Sequence, residues 1–181
     1  MSEVYLDAQK LAEIISTHYN KITAVKYSVE EAPKNAENVG AAGKGELKAG
    51  YKGNKIIIYT DADIVHIVGD MKFMFTCCKK LTDIAALSNW DVSKVKDMNN
   101  AFCMCCELTD ISALSNWNIK SATNLTSMFE RCYKLSNVIP LRKWTVRNDA
   151  NTAFMFGDCH LLMESITMDI INKFKINISD L

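Results

Sequence analysis

Only two prolines and seven glycines stand in the 181 residues, and five of the glycines are crowded between Gly40 and Gly53. A chain so poor in both is neither collagen-like nor a low-complexity linker. No window approaches the ~18 consecutive apolar residues of a membrane span, so no spanning helix is expected. Neither sign of charge is in excess, with 21 Lys+Arg against 21 Asp+Glu. The balance holds on both sides of Gly69, with 8 basic and 9 acidic residues before it and 13 and 12 after. Binding to a phosphate backbone asks for a basic excess, so nucleic acid is not expected as the primary partner. The opening MSEVYLDAQKLAEIIS has acidic residues, no basic n-region and no unbroken apolar stretch, and so lacks a secretory signal. There is no lipobox-like cysteine near it and no wall-anchor tail. A cytoplasmic location is the expectation; a trimmed chain would instead come from the cell surface. Seven cysteines, an odd number with no framework spacing, argue against a disulfide scaffold and for free thiols in a reducing compartment.

What the chain has is a repeat. Phe75, Phe102, Phe129 and Phe156 follow one another at 27-residue steps. Cys78, Cys105, Cys132 and Cys159 keep the same step, as do Leu81, Leu108, Leu135 and Leu162, and Trp90, Trp117 and Trp144. A fixed period of this size is the signature of repeat architectures. Each copy opens on a short polar residue, Asp70, Asp97, Asn124 or Asn151, of the kind that caps a helix N-terminus. In the first copy Met71, Met74, Phe75 and Cys78 then fall on one helical face over two turns. Leu81, Ile84, Leu87 and Trp90 come next at every third position, a period that suits short extended pieces each turning inward, as in leucine-rich repeats.

The units F-x-x-C-x-x-L-T-D-I-x-A-L-S-N-W-[DN]-[VI] resemble the BspA-like leucine-rich repeats of bacterial surface proteins. Leu87-Ser88-Asn89-Trp90-Asp91-Val92-Ser93-Lys94-Val95, followed by Met98 and Phe102, carries the likeness, which covers residues 70–165. The third copy departs from it with Arg142-Lys143-Trp144-Thr145, and Asp149 stands where Val95 stood; the fourth has no tryptophan. The expected fold is therefore α+β: a short leucine-rich-repeat-like solenoid of about four 27-residue repeats, with an N-terminal α+β cap and a C-terminal capping helix. The expected division is 1–69 for the capping region and 70–181 for the repeats with their closing cap. Within the first part, residues 5–19 predict an amphipathic helix, 22–28 a strand, 46–59 a hairpin and 63–68 a further strand. Residues 166–178, with Ile166, Ile170, Ile171 and Phe174, predict the closing helix.

Candidate chemistry is thin. Cys103-Met104-Cys105-Cys106 and Cys77-Cys78 have a metal-site look, but Cys78, Cys105, Cys132 and Cys159 share one repeat position. A row along an axis cannot surround a zinc ion, which wants four converging ligands. They are expected in the core, where cysteine behaves as a small hydrophobe. Cys77, Cys103 and Cys106 lie off that row and are the thiols expected to react. The tryptophans are expected to stack in the core rather than form a binding stripe. His18, His66 and His160 show no triad or ligand spacing. Gly40-Ala41-Ala42-Gly43-Lys44-Gly45 fails the phosphate-loop pattern G-x-x-x-x-G-K-[ST]. Asp83 and Asp110 repeat in register, which suits a surface ladder rather than a paired-carboxylate site. No catalysis, cofactor or metal is expected.

The expectation for function is a protein-binding module that uses exposed rows of side chains. These are Thr82, Thr109 and Ser136; Asp83, Asp110 and Asn137; and Asn89, Asn116 and Lys143, with a positive end at Arg131, Lys134, Arg142, Lys143 and Arg147 suited to an acidic partner. Three settings stay open: a phage or mobile-element inhibitor of a bacterial defence or regulatory protein, a fragment of a surface adhesin, and an enzyme seated in residues 1–69 around His18 or His66.

Overall fold

Asp7 decides where the first helix begins. In a computed structural model that describes residues 2–181, its carboxylate accepts from the backbone N–H groups of Gln9 and Lys10, which caps helix α1 (Ala8–His18). The residues before it are not the start of that helix but strand β1 (Glu3–Asp7), so the helix expected from residue 5 is three residues shorter at its front. Strands β2 (Ala24–Ser28), β3 (Glu37–Asn38), β4 (Lys48–Lys52), β5 (Lys55–Tyr59) and β6 (Ile64–Val68) follow, and then β7 (Trp90–Asp91) and helix α2 (Met168–Phe174). Gly53, at φ 66°, makes the tight β4–β5 turn that a side chain would strain. Gly40 is needed for close approach: a Cβ there would lie 2.3 Å from the carbonyl oxygen of Gly45. Both glycines of this stretch thus serve chain turns and close packing beside β3, β4 and β5.

Two sheets result. One runs β1-β6-β7, all parallel; the other runs β2-β5-β4-β3, with β2 parallel to β5 and the rest antiparallel. The expected leucine-rich-repeat-like solenoid, with its separate α+β cap and capping helix, is therefore corrected: the chain is a small α+β domain with two sheets and two helices. A leucine-rich repeat supplies a strand per copy. Here only the first copy holds one, the two-residue β7, and the later copies share the single bridges Asp97–Asn124 and Asn124–Asn151.

The reason lies in backbone conformation. Phe73, Asn100, Ser127 and Phe154 have φ between 52° and 59°, and Cys77, Met104, Arg131 and Asp158 between 57° and 60°. A left-handed residue every fourth position forbids a strand and also forbids the two-turn helix that the apolar spacing predicts. Alternate amides have different jobs. Those of Met74, Thr76 and Cys78 close local turns onto Met71, Phe73 and Phe75. Those of Met71, Phe73, Phe75 and Cys77 reach across to the carbonyls of Asp97, Asn99, Ala101 and Cys103, at 2.8–2.9 Å. The pattern recurs from the second copy to the third and from the third to the fourth.

Side chains follow the same register inside one core that runs from Leu6 to Leu181. Phe75, Phe102, Phe129 and Phe156 stack with centroids 5.2, 5.4 and 5.6 Å apart. Phe174 of α2 meets Phe156 and Trp144 edge-on. Such pairs contribute about 0.5–1.5 kcal/mol each beyond area burial. The Trp117 and Trp144 indoles donate to the carbonyls of Leu87 and Leu114, thirty residues back, at 2.9 and 2.8 Å. Trp90 has no earlier copy to donate to; its Nε1 and the Tyr27 hydroxyl are both buried without a hydrogen-bond partner in the described residues. The thiols of Cys105, Cys132 and Cys159 donate to the carbonyls of Phe75, Phe102 and Phe129 at 3.0–3.2 Å. Burial pushes the Cys78 and Cys159 thiols up to about 12 and those of Cys105 and Cys132 well above their ordinary value. Cys103 is also covered, and burial pushes it up to about 11.

Two outcomes follow. Phe102→Ala opens a hole between two stacked neighbours and should cost about 3–5 kcal/mol, read as a fall in the denaturant midpoint. A thiol reagent applied to the native protein should label Cys77 and Cys106 quickly and the remaining five only on unfolding, with peptide mapping to identify the sites.

Candidate interaction surface

The polar rows have local duties first. Asp83, Asp110 and Asn137 each accept from the backbone N–H two residues on, at Ala85, Ser112 and Ile139, at 2.8–3.0 Å. These bonds launch the 3-10 turns Ala85–Asn89, Ser112–Leu114 and Ile139–Lys143. Asp83 also pairs with Lys26 of β2, and that hydrogen bond, with the Ala85 amide, holds its carboxyl below the usual range. Asp110 remains exposed, as do Thr82, Thr109 and Ser136. Asn89 accepts from Ser88 at 3.3 Å, while Asn116 and Lys143 share the walls of one shallow surface hollow with Ser115 and Lys120.

The basic end is already engaged within the molecule. Arg131 pairs with Asp158 at 3.0 Å, Lys134 with Glu107 at 2.5 Å and Arg142 with Asp169 at 2.8 Å, each partner one repeat step away. Arg147 grips Asp149 through two nitrogens at 2.8 and 2.7 Å. Hydrogen bonds from these guanidiniums hold Asp149 and Asp169 below the usual carboxylate range. Lys143 stays exposed outside these pairs. The five cations therefore do not form one free positive patch.

Sequence reasoning missed where the apolar exposure lies. Continuing the rows by one step from Lys134 and Ser136 leads to Leu161 and Met163, which are 51% and 53% exposed. Ile139 and Tyr133 are exposed in the copy before, and the Tyr133 ring stacks with His160 at 6.4 Å. Rows of Thr, Ser and Lys thus end on large apolar side chains. Next to them lies an open hollow of about 730 Å³, lined by Arg131, Asp158, His160, Met163 and Ile178. The signal was present in the sequence as a change of residue type at a fixed repeat position.

The histidines are tied into the fold. His66 Nδ1 lies 2.8 Å from Asp91 and Nε2 3.2 Å from Glu3, joining β6 to β7 and β1, with its ring stacked on Tyr5. Burial alone would raise Asp91, but hydrogen bonds from Ser93 and His66 outweigh it and hold the carboxyl below the usual range. His18 stacks on Tyr51 at 4.0 Å, and His160 Nδ1 sits 2.8 Å from the Leu181 carbonyl. Among the described residues, no group of three His, Cys, Asp or Glu side chains is placed to hold a metal ion, and no helix is long and apolar enough to cross a membrane.

No curated protein and no solved structure matches the chain. A family model does, over residues 59–175, which takes in β6, all four copies and α2. The chain belongs to that family, described as Mycoplasma protein of unknown function, DUF285.

Proposed function

We propose that the chain is a non-enzymatic protein-binding module whose contact centres on the third and fourth copies. One observation carries this: repeat rows that are polar in the early copies turn apolar and stay exposed at Leu161 and Met163, with the exposed Tyr133 ring stacked on the adjoining His160. Clustered apolar exposure rimmed by polar groups is what protein interfaces present, and their energy concentrates in a few buried anchors. Exposed polar residues precede Met163 along its repeat position and the one after it, Ser136 and Asn137 one step back and Thr109 and Asp110 two steps back. The internally paired arginines would fix this face rather than attract an acidic partner. The partner class is a folded protein surface that the module covers, as an inhibitor of a bacterial regulatory or defence protein would.

The test is affinity capture from the native cell, followed by binding measurements on the captured protein. Leu161→Asp with Met163→Asp should weaken that complex by at least about 30-fold, the loss of a hot spot of ~2 kcal/mol. Asn89→Ala, at the far end of the rows, should leave it within about twofold, as rim contacts do. Equal binding by the double variant and the unaltered chain would remove this surface from consideration.

A further inference from the structure

The inter-copy hydrogen bonds have two ends. Every inner set of alternate amides finds acceptors: those of Met98, Asn100, Phe102 and Met104 on the third copy, and those of Leu125, Ser127, Phe129 and Arg131 on the fourth. At the last copy only the Asp158 amide is taken, by the carbonyl of Asp180. The amides of Thr152, Phe154 and Phe156 donate to no acceptor among the described residues. At the first copy the complementary groups are unclaimed, since the carbonyls of Asp70, Lys72, Met74 and Thr76 accept from nothing there. Unpaired backbone groups beside a core call for an accounting. Phe156 and Met74 are each only 1% exposed and so are closed off. That leaves Thr152 and Phe154 as donors at one end and Asp70 and Lys72 as acceptors at the other, in the register that already pairs three times within the chain.

The side chains at these ends agree. Asn100 and Ser127 occupy the inner places of one column, and Ser127 is only 6% exposed. The same column ends on Phe73, 54% exposed, and on Phe154, 56% exposed. Polar residues thus stand where the column is covered inside the molecule, and phenylalanines where it is open. Residues 175–181 flank the donor edge and leave a small cleft of about 50 Å³ against residues 152–157. Asn151, Ala153 and Phe154 remain exposed beside it, as do Asp70, Lys72 and Phe73 at the other end.

We propose that a second copy of this chain docks head to tail: the turn edge 151–155 of one molecule lends the amides of Thr152 and Phe154 to the carbonyls of Asp70 and Lys72 of the next, with Phe154 against Phe73. A second copy is the occupant that fits, because its first-copy edge offers the same alternate carbonyls that Asp97 and Asn99 offer inside the chain. Such a contact joins unlike surfaces, so it does not close on itself and leads to open-ended assembly. Phe154 and Met163 line the same open hollow, so a docked copy borders the face at Leu161 and Met163; sedimentation of the chain alone reads self-association without the partner protein.

The test uses light scattering with sedimentation velocity on the full chain across a concentration series. The unaltered chain should grow past a dimer as concentration rises. Phe73→Asp and Phe154→Asp should each stay at the monomer mass of 20.3 kDa. Mixing the two variants in equal amounts should restore a species of twice the monomer mass and no larger, since one keeps the donor edge and the other the acceptor edge. Unchanged thermal melts would confirm that both variants fold. An unaltered chain that stays monomeric throughout overturns the proposal. So does a dimer that both variants still form, or one that the mixture fails to restore.

Discussion

The rest of the structure depends on the hydrogen bonds that pass from one 27-residue copy to the next. Each amide in this set points along the stacking direction because its neighbour points elsewhere, closing a local turn. The division requires left-handed residues at two positions per copy, and those positions account for eight of the nine non-glycine residues with positive φ among the described residues. Left-handed backbone costs about 1–2 kcal/mol per residue, so it persists only where the surroundings demand it. The demand comes from the apolar columns beneath. Phenylalanine rings 5.2–5.6 Å apart cannot be displaced singly without losing two neighbours each.

The remaining parts serve that arrangement. Strand β6 pairs with β7 and brings the first sheet into register with Trp90, while the bridge between Ala24 and Asp83 seats the second sheet on the first copy. Lys26 adds an ion pair at the same joint. At the far end α2 turns Phe174 inward under Phe156 and Trp144, and Asp180 takes one amide of the last copy. The basic residues of the third copy act in this setting too. Their partners lie one step away, at Glu107, Asp158 and Asp169, so they brace neighbouring copies against one another. Being exposed pairs, they contribute specificity of register more than stability.

Much of this was written in the order of residues. The 27-residue phase named the buried phenylalanines, cysteines, leucines and tryptophans correctly, because a side chain that recurs in phase and is apolar has to be covered. The strand at Ala24–Ser28 and the β4–β5 hairpin were legible from alternation and from Lys52-Gly53-Asn54-Lys55. The backbone path of the copies was not. Of the eight left-handed positions only Asn100 and Asp158 are types that favour that region; Phe73, Cys77, Met104 and Phe154 give no warning. An apolar spacing that mimics two helical turns then misleads, and so does the threefold spacing that suggests a leucine-rich repeat. The interaction surface was legible only in part. Rows at Thr82, Thr109 and Ser136 were identified as exposed, but charge counting cannot reveal that Arg131, Lys134, Arg142 and Arg147 already have partners. Nor does composition reveal that Leu161 and Met163 finish those rows in solvent.

Amide hydrogen exchange, resolved residue by residue, tests the central account most directly. In dilute solution the amides of Asn100, Phe102, Ser127 and Phe129 should exchange slowly, through global opening, while those of Thr152 and Phe154, which lack acceptors, should exchange orders of magnitude faster. Exchange at Asn100 and Ser127 as fast as at Phe154 would contradict the inter-copy hydrogen bonds, and with them the account of how these copies hold together.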